Sequence, residues 1–193
     1  YLEDGEIVKV TGEGLFEHYW LIDVPGAGTY EAYVNRDALP YMEIYGIASA
    51  RSMYRGTLRN ISHCESWNYF KKIGLLNQER TFDFTTTSPR RVMAELVGGD
   101  GKDIALDLSR FLDVAPYAVA IKKLAWLGLL VDEKLPLKTA TPFDMFAHVL
   151  EKKLVYKPGE TDLLIQHHEF VAIYPGGKKE KITSTMVDTG ISG

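Results

Sequence analysis

Two short stretches bring arginine to places where the chain is expected to change direction. Asn35-Arg36-Asp37 lies where an extended run, Thr29-Tyr30-Glu31-Ala32-Tyr33-Val34, gives way to Leu39-Pro40-Tyr41-Met42-Glu43-Ile44-Tyr45. Arg55-Gly56-Thr57-Leu58-Arg59 lies inside a second extended run, Ser52 to Arg59. A guanidinium is planar, stays charged when partly buried, and presents a fork of N–H donors matched to carboxylate. Alternation along a strand puts Arg55, Thr57 and Arg59 on one face and Gly56 and Leu58 on the other. Arginines at neighbouring strand ends make a receptor for a dicarboxylic or tricarboxylic ligand, with the Thr57 hydroxyl as a further partner. Gly56 lets a backbone or a ligand come close. The same arginines have a second reading, as surface ion pairs with some of the 26 acidic residues.

Other chemistry finds less support. Gly12-Glu13-Gly14 lacks the third glycine of a dinucleotide fingerprint, and no helix is expected to open after Gly26-Ala27-Gly28. Neither sits in a βαβ unit, and no phosphate-binding P-loop is present. No metal site is expected. His167 and His168 are adjacent on a strand and therefore face opposite ways. Cys64 stands at the start of an expected helix, which lowers a thiol's pKa somewhat but supplies no ordered partner. There is no Gly-x-Ser-x-Gly elbow, and no residue is assigned as general base.

The elements that must position the arginines can be read from periodicity. Glu6 to Val10, Tyr19 to Asp23 and Thr29 to Val34 read as strands, the third introduced by the turn Pro25-Gly26-Ala27-Gly28. Leu39 to Tyr45 reads as a short helix stopped by Gly46, and His63 to Ile73 as a longer one stopped by Gly74. The middle of the chain is helical. A Thr-rich connector from Thr81 ends in the N-cap Ser88, followed by helices from Pro89, Asp103, Pro116 and Pro142. Thr141 with Asp144 makes a capping-box pattern. Strand then returns as a long hairpin, Asp162 to Tyr174 and Lys178 to Asp188, around Pro175-Gly176-Gly177. The expected class is α+β, a mixed or antiparallel sheet domain with helices, interrupted by a small all-helical inserted domain. The sheet domain is expected at 1–80 and 157–193 and the insertion at 81–156, with the final hairpin completing the first sheet.

Composition agrees with one compact domain or two small ones. The chain has 193 residues, 46% of them hydrophobic and 25% charged, with a formal net charge of −4. A generic basic nucleic-acid footprint is not expected, and no apolar run is long enough for a membrane span. One cysteine allows no internal disulfide and fits a reducing compartment. The start, Tyr1-Leu2-Glu3-Asp4-Gly5, carries no signal-peptide pattern and no initiator Met, so the chain is expected to be a piece of a longer polypeptide.

Taken in order, several segments resemble the saccharopine dehydrogenase (saccharopine reductase) family, which in plants and animals forms the C-terminal part of aminoadipic semialdehyde synthase. They are Tyr1 to Gly5, Asn35-Arg36-Asp37, Ile44-Tyr45-Gly46-Ile47, Arg55 to Arg59, Leu124-Ala125-Trp126-Leu127-Gly128-Leu129-Leu130-Val131-Asp132-Glu133, Leu150 to Leu154 and Glu160 to Leu164. The Arg-Gly-Thr-Leu-Arg string, joined to the upstream Asn-Arg-Asp and the downstream Trp-Leu-Gly-Leu, is the specific combination. Two local departures are Ala38, where many relatives carry Ser, and Asn60-Ile61-Ser62-His63, which replaces an aromatic–basic–Gly–aromatic stretch. The chain is also expected to stop, at Thr189 to Gly193, before the family's closing helix and strand.

The resemblance implies a substrate-binding and dimerisation domain with a helical insertion, preceded in the family by a Rossmann domain. It implies interconversion of saccharopine with aminoadipate semialdehyde and glutamate, in lysine metabolism, by hydride exchange with NAD or NADP bound mainly outside this chain. It implies that Arg36, Thr57, Leu58 and Arg59 hold the substrate: the two arginines on carboxylates, Thr57 and the Leu58 backbone by hydrogen bonds. A homodimer is implied, cytoplasmic in bacteria and fungi and mitochondrial in animals, with this fragment inactive alone. Two other readings are a non-catalytic dimerisation or protein-interaction module and a fragment of a related carboxynorspermidine dehydrogenase-like enzyme.

Overall fold

In the computed structural model, residues 1–190 are described. The chain opens with β1 (Leu2–Glu3), β2 (Glu6–Ile7), β3 (Tyr19–Val24), β4 (Gly28–Val34), the short helix α1 (Pro40–Ile44) and β5 (Gly56–Arg59). Next come α2 (His63–Ile73), β6 (Phe82–Asp83), α3 (Pro89–Leu96), α4 (Ile104–Leu112), α5 (Val119–Trp126), β7 (Thr139–Ala140) and α6 (Pro142–Lys153). The hairpin β8 (Leu163–Ile173) and β9 (Lys179–Thr189) follows. The class is α+β, as expected.

These elements form two units: Tyr1–His63 together with the residues from Tyr156 onward, and Cys64–Val155. The helical unit thus begins at Cys64, earlier than the expected 81. The reason lies in α2, whose buried Phe70 and Ile73 belong to the helical core, along with Leu75 just beyond it. The last three residues of the expected 157–193 segment lie outside the described residues.

In the first unit, β3, β4 and β5 make an antiparallel three-stranded sheet in that order. The β3–β4 turn uses Gly26 and Gly28 at φ 79° and 106°, a backbone region that side-chain-bearing residues rarely adopt. Two expected strands are shorter than their alternation suggested. The Glu6–Val10 run pairs through Glu6 and Ile7 with β1 across the tight turn at Asp4-Gly5, and Val8 continues the pairing by exchanging backbone hydrogen bonds with Tyr1 at 2.9 and 3.0 Å. The Ser52–Arg59 run changes partner midway. Met53 exchanges backbone hydrogen bonds with Leu2, at 3.0 and 2.9 Å, and ladder pairing with β4 begins at Gly56.

The final hairpin does not complete the first sheet. β8 and β9 pair with each other from Leu163↔Thr189 to Ile173↔Lys179 and form a separate two-stranded sheet. Lys179, Glu180 and Lys181 charge the β9 strand near its turn, a feature that discourages addition of a further strand.

The large apolar core belongs to the helical unit. Val92, Met93, Leu108, Leu124, Leu129, Met145 and Phe146 are almost wholly buried there. Trp67, Phe70 and Phe146 meet edge to face, with centroids 5.3 to 5.9 Å apart. Helix starts follow the local chemistry. Ser88 Oγ accepts from Arg91 N ahead of Pro89, and Asp103 Oδ1 accepts from Leu106 N. Thr141 and Asp144 cap α6 reciprocally. β6 and β7 form a two-residue bridge inside this unit that the Thr-rich connector did not suggest.

Candidate functional site

The β4–β5 ladder sets out the arginines. Glu31 faces Arg59, Ala32 faces Leu58, Tyr33 faces Thr57 and Val34 faces Gly56. The pairing runs one step further, with Asn35 N donating to the Arg55 carbonyl at 3.4 Å. Arg36 follows directly, in the bend between β4 and α1. There Asp37 Oδ1 accepts from Leu39 N at 3.0 Å and Pro40 occupies the first turn of the helix. Ala38 beside it is fully buried, which anchors the bend.

Thr57, Leu58 and Arg59 therefore share one strand, and Arg36 lies at the far end of the same ladder from Arg59. From the Arg59 rung to the Arg55 rung is four residues, roughly 14 Å at about 3.4 Å per residue. The backbones of Arg36 and Arg59 do not meet at one rung of the ladder. They mark the two ends of a row, and the residue next to the Arg36 bend is Arg55.

Their surroundings differ. Arg36 is exposed and has no hydrogen bond or ion pair among the described residues. Arg59 is exposed, and its Nη1 donates to the carbonyl of Leu58 at 3.0 Å. Glu31, across the ladder, is 2% exposed, and its Oε1 accepts from Ser62 N at 2.6 Å. That contact ties the chain leaving β5 back onto β4. Arg59 is thus not locked onto its acidic neighbour. Arg55 lays its guanidinium 3.7 Å from the centroid of the Tyr41 ring.

Gly56 has a steric role. A Cβ placed there would collide with Tyr54 Oη and lie 2.7 Å from Tyr54 Cε1 and Cζ. Tyr54 in turn packs edge to face on Trp20 at 4.9 Å and on Tyr1 at 5.8 Å. Tyr1 Oη and His18 Nε2 are hydrogen-bonded at 2.7 Å. On the Thr57 face, Tyr33 stacks on His63 at 5.8 Å with Phe16 at its edge. His63 thus fills an aromatic position in the stretch that departs from the family pattern.

The sequence reading missed Tyr41 as the platform for Arg55. The i to i+14 separation hides the contact, although Tyr41 in the first turn of a helix beside an arginine-bearing bend was a usable signal. Two open depressions lie elsewhere. One, of about 270 Å³, is lined by Val8, Lys9, Val10, Thr11, Gly14, Glu17 and His18; the other, of about 230 Å³, by Thr86, Thr87, Ser88, Arg91, Asp132 and Lys134. The glycine pairs do not fit a dinucleotide: Gly26 and Gly28 make a hairpin turn between antiparallel strands, with no helix N-terminus to receive a pyrophosphate. Among the described residues, no three His, Cys, Asp or Glu side chains are grouped to hold a metal ion. No helix among them is long and apolar enough to cross a membrane. Cys64 is completely buried.

Comparison with known proteins gives a consistent picture. The family model described as saccharopine dehydrogenase C-terminal domain matches residues 1–193. The chain is 32% identical over 198 residues to the mitochondrial alpha-aminoadipic semialdehyde synthase of Rattus norvegicus, covering 98% of this chain and 21% of that protein. It is 25% identical over 201 residues to the NADP(+), L-glutamate-forming saccharopine dehydrogenase of Schizosaccharomyces pombe, covering 99% of this chain and 44% of that enzyme. Among solved structures, apo saccharopine dehydrogenase (L-Glu forming) from Saccharomyces cerevisiae superposes with a TM-score of 0.86 at 24% identity, over 100% of this chain and 44% of that one. The chain therefore spans less than half the length of these relatives.

Proposed function

Because the chain belongs to the saccharopine dehydrogenase C-terminal domain family, we propose that it is the substrate-binding and dimerisation portion of an NAD(P)-dependent saccharopine dehydrogenase of lysine metabolism. The substrates are saccharopine on one side and aminoadipate semialdehyde with glutamate on the other. The observation that carries this reading is the row of arginines on the β4–β5 ladder. Arg36 has no partner among the described residues, and Arg59 holds only a neighbouring carbonyl.

A ligand with carboxylates at both ends of an extended body suits a row better than a pocket. Arg59 takes one end through its remaining N–H donors and Arg36 takes the other. The Thr57 hydroxyl and the Leu58 backbone bond to the groups between them. Holding both ends fixes the carbon that exchanges hydride, so the contribution of these residues is orientation. The nicotinamide supplies the hydride chemistry and is bound mainly outside this chain. The named enzymes of fungi use NADP(+), which supports a phosphorylated cofactor here.

Self-association is assigned to the β8–β9 hairpin, which exposes Leu163, Phe170, Val171, Ile173 and Ile182 at 46 to 61%. A two-stranded hairpin is marginal by itself in water, and covering apolar surface stabilises it. Similarity to the rat enzyme, whose name places it in mitochondria, supports a mitochondrial location if the source is an animal and a cytoplasmic one otherwise.

The test uses the full-length polypeptide that carries this chain. Saccharopine titrated with NADP(+) present is expected to bind and turn over. Arg36→Ala and Arg59→Ala should each raise KM for saccharopine about tenfold or more. Normal kinetics in both variants would overturn the site assignment.

A further inference from the structure

The hairpin has an open edge at β8, and the ladder shows which backbone groups reach it. Tyr174 N donates to the Lys178 carbonyl at 2.9 Å, and Gly190 N donates to the Asp162 carbonyl at 3.2 Å, at the two ends of the β8–β9 ladder. In an antiparallel pair, bonded and non-bonded residues alternate. The even-numbered residues of β8 therefore turn N–H and C=O toward β9. The odd-numbered ones, from Leu163 to Ile173, turn theirs outward. Among the described residues no third strand takes up these groups. Lys, Arg and Pro, which natural sheets use to blunt an edge, are absent from β8.

By residue class, β8 matches its own reverse. Laid antiparallel on a second copy about a twofold axis at His168, Leu163 faces Ile173, Leu164 faces Ala172 and Ile165 faces Val171. Gln166 faces Phe170, His167 faces Glu169, and His168 meets the His168 of the second copy. In this register odd residues oppose odd residues, so the outward backbone groups of the two copies meet as bonded rungs. The strand is used from end to end, and Leu163, Val171 and Ile173, which are 52 to 61% exposed, gain apolar partners. Neighbouring registers are worse. An axis at Glu169 sets that carboxylate against its own copy, and an axis at His167 sets it against Ile165. β9 lacks this symmetry: about its central residue, Ser184, Glu180 would face Asp188.

We propose that two copies of this chain join edge to edge through β8, with the axis at His168, into one sheet ordered β9-β8-β8-β9. This rests on the self-association assigned to the hairpin above and deepens it by naming the edge and the register. Backbone hydrogen bonds along the odd rungs and apolar cross-strand pairs toward both ends hold the copies together. The pairing turns a two-stranded hairpin into a four-stranded sheet, a more stable unit in water. The same patch is used on both copies, so the contact closes as a dimer and does not propagate.

The test uses the full-length polypeptide that carries this chain. Wild-type protein that stays monomeric at high micromolar concentration in sedimentation velocity overturns hairpin self-association, and this inference with it. With a dimer present, His168→Cys is expected to form an interchain disulfide under mild oxidation. Opposed Cα atoms at a rung without backbone bonds stand about 4.5 Å apart, within disulfide reach. Leu164→Cys and Ala172→Cys should each fail to link alone, because the matching positions lie roughly 27 Å apart along the strand at about 3.4 Å per residue. Mixed together, the two proteins should link. Peptide mapping of mixed plain and heavy-isotope protein identifies each bond as interchain. A dimer in which His168→Cys does not link overturns the proposal alone, as does Leu164→Cys linking as well alone as in the mixture. Val171→Pro removes an outward N–H and none of the β8–β9 bonds. It should weaken dimerisation about tenfold or more and keep the folded circular dichroism. An unchanged dimer in that variant overturns the proposal, and if the variant does not fold, the cysteine pairs decide.

Discussion

Tyr54 lies across the Cα of Gly56, close enough that a methyl group on that glycine would sit 2.7 Å from two carbons of the ring. The φ of Gly56 is not positive, so alanine is acceptable to the backbone and the obstacle is the ring alone. Moving the ring disturbs its edge-to-face contacts with Trp20 and Tyr1. Gly56→Ala is expected to destabilise the protein by about 1 kcal/mol, the low end of the overpacking range, because the ring it meets is 37% exposed and can swing outward at the expense of those contacts. The double variant Gly56→Ala, Tyr54→Ala should be less destabilised than the sum of the two singles by more than about 0.5 kcal/mol. Urea unfolding of the four proteins measures the coupling, and strict additivity would remove the steric explanation.

Glu31 is the charged group most deeply set in the sheet, and it serves the chain leaving Arg59. Its carboxylate accepts from Ser62 N at 2.6 Å, and Ser62 holds a left-handed φ of 70°. Glu31→Ala leaves that amide without its buried acceptor, at a cost of about 1–3 kcal/mol. Glu31→Gln keeps a carbonyl oxygen and should lose less than half as much. Under the proposed function, the same variants of the full-length polypeptide should raise KM for saccharopine only in proportion to how far they loosen the end of β5. Thermal unfolding paired with kinetics separates these two effects.

What was legible from residues alone follows a physical pattern. Local chemistry read well: Ser88 before Pro89, Thr141 with Asp144, and the glycine turn after Tyr174 all depend on neighbours within three or four positions. Pairing partners read poorly. The alternation of Glu6 to Val10 and of Ser52 to Arg59 looks alike in sequence, but the rungs are set by the partner: the first run pairs with Tyr1 to Glu3, and the second passes from Leu2 at Met53 to β4 at Gly56. The hairpin's destination was invisible for the same reason. At the site, the Arg55–Arg59 string announced itself by residue type, whereas the Tyr41 platform and the opposite-end placement of Arg36 and Arg59 depend on register.

The hairpin gives a separate expectation about assembly. Phe170 faces Ile182 across the ladder, and the two are 51% and 46% exposed. Under the proposed self-association they lie in the interface, where an introduced charge is unfavourable once desolvated. Phe170→Asp should convert a dimer to a monomer or weaken it about 100-fold or more, a loss of ~3 kcal/mol. Sedimentation velocity over a concentration series reads this directly. A wild-type protein that is monomeric at high micromolar concentration would remove the dimer from the proposal.

The capping box of α6 predicts how the helical unit answers acid. Asp144 Oδ2 accepts from Thr141 N at 2.8 Å and from Thr141 Oγ1 at 2.7 Å, while Thr141 Oγ1 accepts from Asp144 N at 3.1 Å. The backbone N–H of Thr141, followed by its hydroxyl, holds the Asp144 carboxyl below the usual aspartate range. A carboxyl lowered in the folded state binds protons more readily when unfolded. Its contribution is therefore complete above its unfolded pKa of roughly 4 and disappears as pH falls through the lower folded value. Thr141→Ala removes the cap and should cost about 1 kcal/mol near neutrality. The gap in Tm between wild type and Thr141→Ala should narrow steadily below about pH 4. Asp83 is lowered in the same way, chiefly by the Thr85 hydroxyl, so the Thr141→Ala variant also loses stability in acid. Asp144→Asn keeps an acceptor without the titration and should flatten only the part of the acid limb that belongs to α6. Calorimetry of the three proteins between about pH 7 and 2.5 checks the sign, and a gap that widens toward acid would contradict it.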